Sequence, residues 1–126
     1  METETISLPP IVLRWSAWHS WHAIAADARS AGGVAIPHQP GVYEARYADA
    51  RPGEYLHIGK ASSLRFRVKQ GLVKGVLPHS AGQSIRATED LSRIVVRWAA
   101  TDRPAAVEED LHRRYRERFS SLPKHT

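Results

Sequence analysis

Gly41-Val42-Tyr43-Glu44-Ala45-Arg46-Tyr47, then Asp49-Ala50-Arg51-Pro52-Gly53, then Glu54-Tyr55-Leu56-His57-Ile58-Gly59 is the run from which the fold follows. Val42 to Tyr47 alternates apolar and mixed residues and reads as a strand. Asp49 to Gly53 carries the residues of a turn. Glu54 to Gly59 reads as a second strand, so the pair predicts an antiparallel hairpin. Side chains two apart on a strand share a face, which puts Tyr55 and His57 together. In a short hairpin Tyr43 then lies close to His57.

Before the hairpin, Trp15 to Ser30 spaces its tryptophans and histidines at roughly helical intervals, and Gly32-Gly33 ends the run. Residues 1–10 read as a loose tail. Pro37 and Pro40 bracket an extended lead-in. After the hairpin, Ser62 or Ser63 can cap a helix to about Lys74 with Gly75 as its stop. Its buried stripe is Leu64, Val68 and Leu72. Residues 76–88 read as a loop. Leu91 to Ala99 reads as a strand with Ile94, Val96 and Trp98 on one face and Val95 and Arg97 on the other. Thr101 or Asp102 caps a last helix that tolerates Pro104 in its first turn and runs to about Phe119.

The order helix, strand, strand, helix, strand, helix predicts an α+β domain: a small three-stranded antiparallel sheet flanked by helices, with an extra N-terminal helix. Residues 1–37 form the tail and that helix, 38–122 the domain proper, and 123–126 a C-terminal tail. A chain of 126 residues suits one such core. With no cysteine, neither disulfides nor thiolate metal sites are available. No apolar run is long enough for a membrane span, and the first residues lack a basic start before a long apolar run, so a cytoplasmic protein is expected.

The net charge is +5, and its placement says more than its size. Six basic residues lie between Lys60 and Arg86, with no acid between Glu54 and Glu89. Such a stretch suits a polyanion, nucleic acid above all. In the last helix, Val107, Leu111, Tyr115 and Phe119 advance by about 40° per step and define a buried arc. Glu108 falls inside that arc, whereas Glu109 and Asp110 fall outside it. A carboxylate on the apolar side of a helix needs a cation or a donor. Arg97 and Arg67 are candidate partners. Arg67 sits at the border of its helix's stripe, while Arg65 and Lys69 look like exposed phosphate contacts. His79 lies in the predicted loop beside the basic helix. His19 and His22 are three apart but lack a third ligand, and Trp15, Trp18 and Trp21 around them favour packing.

Gly41-Val42-Tyr43, His57-Ile58-Gly59, Arg67 and Glu108, in this order and spacing, resemble the GIY-YIG nuclease domain over residues 38 to about 120. Arg67 stands eight residues after Gly59, where the family places its arginine. Arg118-Phe119 is similar to its closing Arg-Tyr. His57 stands where the family's second triplet has tyrosine, and Ser120 where it has asparagine. The resemblance implies a metal-dependent endonuclease, with DNA the expected substrate. Glu108 would hold Mg²⁺ or Mn²⁺, Arg67 would neutralise the transition state, and Tyr43, His57, or both through a shared hydrogen bond would activate water. Lys60, Arg65, Lys69, Lys74 and His79 would contact the nucleic acid. A catalytically degenerate binding module is the alternative. A further one is a protein-interaction domain that presents the tryptophan-rich N-terminal helix.

Overall fold

The computed structural model describes residues 3–8 and 10–126. Its centre is an antiparallel sheet of four strands: β1 (His19–Ser20), β2 (Gly41–Tyr47), β3 (His57–Ala61) and β4 (Ile94–Ala100), in the spatial order β1-β4-β2-β3. Three helices are α1 (Trp21–Ala25), α2 (Ser80–Thr88) and α3 (Pro104–Phe119). A π-helix, Arg65–Val73, follows β3.

The predicted hairpin is present, and Tyr43 pairs with Gly59 across it. Its second strand starts later than expected. Arg51 and Glu54 close a turn on each other, with Gly53 at φ 86°, so regular pairing begins only near Leu56. β4 lies on the other side of β2, with Tyr43 opposite Trp98 and Ala45 opposite Val96. Its first expected residues, Leu91–Arg93, instead form one 3₁₀ turn capped by Asp90.

The sheet has four strands rather than the expected three, because the long N-terminal helix does not form. Ser16 exchanges hydrogen bonds with Trp98, and His19–Ser20 pairs with Val95 and Val96. The free edge of β4 needs backbone partners, and aromatic residues tolerate the extended form, so pairing wins over a local helix. Only Trp21–Ala25 is helical, capped by the Ser20 hydroxyl. The tryptophans are used within the chain. Trp21 is buried, Arg97 lies over Trp15 and Trp18 at 4.2 and 4.5 Å, and Arg46 lies over Trp18 at 4.1 Å. The expected presenting helix for a protein partner is therefore absent.

Residues 76–88 are not a loop throughout. Ser80–Thr88 is helical, capped by the His79 imidazole, which accepts from the Gly82 N–H. Gly82 lets α2 approach the π-helix, since a methyl there would come within 2.8 Å of the Leu72 carbonyl. Arg86 donates to the carbonyls of Gly71 and Leu72 and ties the two helices together.

Apolar side chains fill both faces of the sheet. Tyr43, Leu64, Leu72, Ile85, Ile94 and Val96 belong to the larger cluster, under the π-helix, α1 and α2. Val42, Ala99 and Val107 form the smaller one, against α3. α3 has the expected extent, but neither Thr101 nor Asp102 caps it. Arg103 occupies that position without a side-chain bond, and Thr101 accepts from the Arg103 N–H. Pro123 is buried, and the Lys124 and His125 N–H groups bond Tyr55 and Leu56, so residues 123–126 lie along the entry to β3. Among the described residues no helix is long and apolar enough to cross a membrane.

Candidate active site

One cleft of about 620 Å³ opens at the edge of the sheet between β3, the π-helix and the start of α3. Tyr43, His57, Arg67 and Glu108 all line it. β2 and β3 supply the two rings from facing strands, the π-helix supplies the guanidinium and α3 the carboxylate. π-Helical turns are rare, and this one opens with Arg65, Phe66 and Arg67, all exposed. Gly59 of the triplet is required by space, because a methyl there would overlap the Tyr43 hydroxyl and approach His57 Nε2.

The rings form a hydrogen-bonded chain whose direction is set at both ends. The Gly82 N–H donates to His79 Nδ1 at 2.9 Å, so that nitrogen carries no proton. Neutral His79 then bears its proton on Nε2 and donates it to Tyr43 Oη at 2.6 Å. At the other end, His57 Nδ1 lies 3.1 Å from the His125 carbonyl, which can only accept. His57 therefore holds its proton on Nδ1, and its Nε2 lone pair accepts from the Tyr43 hydroxyl at 3.3 Å.

Burial keeps this chain neutral. It pushes the Tyr43 hydroxyl up to about 12, with the Arg67 guanidinium pulling the other way. It pushes His57 down to about 3, assisted by repulsion from His79. His79 falls to about 4 through burial and the nearby guanidinium groups of Arg67 and Arg86.

An effect on stability follows. The folded rings bind protons more weakly than unfolded histidine, whose pKa is about 6.5. Below that value the unfolded chain holds the extra protons, so stability is complete above about pH 6.5 and falls as the pH drops toward the folded values. Each ring contributes a slope of up to about 1.4 kcal/mol per pH unit. Urea midpoints measured between about pH 5 and 7.5 should rise with pH. A flat profile would mean that these imidazoles are not buried in neutral form.

Glu108 is half-buried and enters no ion pair among the described residues. Arg97, one expected partner, is instead held by the buried Glu44 at 2.7 Å. Arg67, the other, is exposed and donates to the Pro78 carbonyl, at 3.3 Å. A cationic and an anionic side chain thus line the same cleft without pairing. No cluster of three or more His, Asp or Glu side chains able to hold a metal occurs among the described residues.

The expected nucleic-acid contacts divide. Lys60 is exposed on the cleft wall, whereas Arg65 and Lys74 are exposed but do not line it. Lys69 is not available: it is buried, and its ammonium donates to the Ala26 carbonyl at 2.7 Å. Nor is His79 an exposed loop residue, since it is 5% exposed and serves as both the α2 cap and a partner of Tyr43. Its place against Tyr43 was not legible in the sequence. The one local hint is a cap-like position before Ser80, and the contact itself spans 36 residues.

Comparison with protein-family models, with curated proteins and with solved structures found no match.

Proposed function

We propose that the cleft cleaves nucleic-acid phosphodiester bonds with the help of a divalent metal, in the manner of the GIY-YIG nucleases that the sequence resembles. One observation carries this reading: Tyr43, His57, Arg67 and Glu108, far apart in sequence, line a single cleft. The donor set fits Mg²⁺ or Mn²⁺ held in part by substrate. Mg²⁺ commonly takes one or two carboxylates and completes its shell with water and phosphate oxygens, and Glu108 is the carboxylate of this cleft. Bound there, the ion would polarise the phosphate and stabilise the leaving oxygen.

The chain's own groups account for the rest. Arg67, without a carboxylate partner among the described residues, neutralises charge that builds up on the phosphate. Lys60 and Arg65 guide the backbone with little base readout. The attacking water gives its proton to Tyr43 Oη as the Tyr43 proton passes to His57 Nε2. The resulting imidazolium keeps its Nδ1–H on the His125 carbonyl. In this reading Tyr43 and His57 act as one relay rather than as rival bases, with His79 orienting the phenol. The negative charge of a bound phosphate would raise the basicity of His57, which burial holds neutral in the free protein.

A non-catalytic nucleic-acid module is the second reading. The absence of a three-ligand cluster among the described residues favours it. Incubation with supercoiled plasmid and with single-stranded DNA separates the two. Product in Mg²⁺ or Mn²⁺ and none in chelator supports the nuclease; salt-sensitive binding without cutting in either metal rejects it.

A further inference from the structure

Phe66 lies between Arg65 and Arg67 on the first turn of the π-helix and is 52% exposed. The other large hydrophobic residues open to solvent among those described are aliphatic, so Phe66 is the exposed aromatic of that set. It belongs to neither apolar cluster, and packing does not account for it. It lines the same cleft as Arg67, with Leu77 and Pro78 beside it. His38 braces the ring, with centroids 4.9 Å apart and planes inclined at 69°. His38 Nδ1 in turn lies 3.4 Å from Ser63 Oγ.

A flat apolar ring that lines one cleft with a guanidinium suits a ligand with a flat aromatic part joined to an anion. A nucleotide has both: the base meets the ring and the phosphate meets Arg67. The cleft, about 620 Å³, is large enough for one such unit. Regular duplex DNA keeps its base faces stacked on each other and offers a protein only edges and phosphates. A stacking ring therefore gains contact only with a base that has left the stack.

We infer that Phe66 is a stacking platform for one unpaired base next to the phosphate held by Arg67, so that the site takes single-stranded or locally opened nucleic acid in preference to regular duplex. This inference rests on the phosphodiester reading above and narrows its substrate.

Binding in chelator, where nothing is cut, tests it. Fluorescein-labelled single-stranded DNA, single-stranded RNA and blunt duplex DNA of one sequence are titrated by anisotropy against wild type, Phe66→Ala and Phe66→Tyr. Wild type should hold at least one of the single strands more tightly than the duplex. Phe66→Ala should weaken that single-strand binding about tenfold while changing duplex binding by less than about twofold. Phe66→Tyr keeps the ring and should restore affinity. The salt dependence should not change in Phe66→Ala, because no phosphate contact is lost. An unchanged single-strand affinity in Phe66→Ala, or an equal loss on duplex and single strand, overturns the inference. If Phe66 behaves as stated but no metal yields product, the stacking site stands and catalysis alone is rejected. If wild type and Phe66→Ala cut single strands equally well, the nuclease stands and the platform is rejected.

Discussion

Glu108→Ala is expected to lower metal-dependent cleavage at least 10²- to 10³-fold, on the order of the loss when one electrostatic group is taken from a polar active site. The side chain is half-buried and has no ion-pair partner among the described residues. If an ion sits there, its protein anchor goes with the carboxylate. Folding should change little, because removal of a carboxylate without an ion pair leaves no buried cation behind. Thermal unfolding by circular dichroism checks that point. Glu108→Gln, which keeps the shape and loses the charge, should resemble Glu108→Ala. Glu109→Ala, one position round the helix and exposed, should cut like wild type. Wild-type rates from Glu108→Ala in Mg²⁺ or Mn²⁺ would remove the ion from this position.

Tyr43→Phe is expected to cost about 10²- to 10⁴-fold in rate, the range for loss of a positioned proton-transfer group. The ring stays in the core and only the hydroxyl leaves. That hydroxyl joins two imidazoles, so its removal strands the His79 Nε2–H and the His57 Nε2 lone pair, 5.5 Å apart by ring centroid. An unfolding penalty of about 1–3 kcal/mol accompanies the loss of a buried partner. The readout that separates a relay from mere packing is ¹⁵N NMR of the imidazoles. Wild type should show His57 protonated on Nδ1 and His79 on Nε2, both neutral near pH 7. Opposite tautomers, or full activity in Tyr43→Phe, would rule out the proton path.

Much of this architecture could be read locally. The residue pattern of Gly41–Tyr47, the Pro52-Gly53 turn and the apolar face Ile94, Val96, Trp98 set β2, its hairpin and β4; β4 alternates in burial with a period of two, whereas β2 is buried on both faces from Gly41 to Ala45. Helical angle alone placed Glu108 toward the inner side of α3, and the structure leaves it half-buried on the cleft wall. The expectation that Lys69 is an exposed phosphate contact failed. The Lys69 ammonium reaches the Ala26 carbonyl, and that group comes from a segment 43 residues away.

The order of β2, β3 and β4, the extent of α3 and the basic stretch between Lys60 and Arg86 were present in residue pattern, since period and charge are properties of neighbouring residues. The fourth strand, the α2 helix and the His79–Tyr43–His57 chain were not. Ser16–Ser20 left the helical form because the edge of β4 needed partners. α2 formed around a glycine whose use is a close approach to Leu72. Each depends on a surface that exists only once distant segments have met, and no local period encodes it.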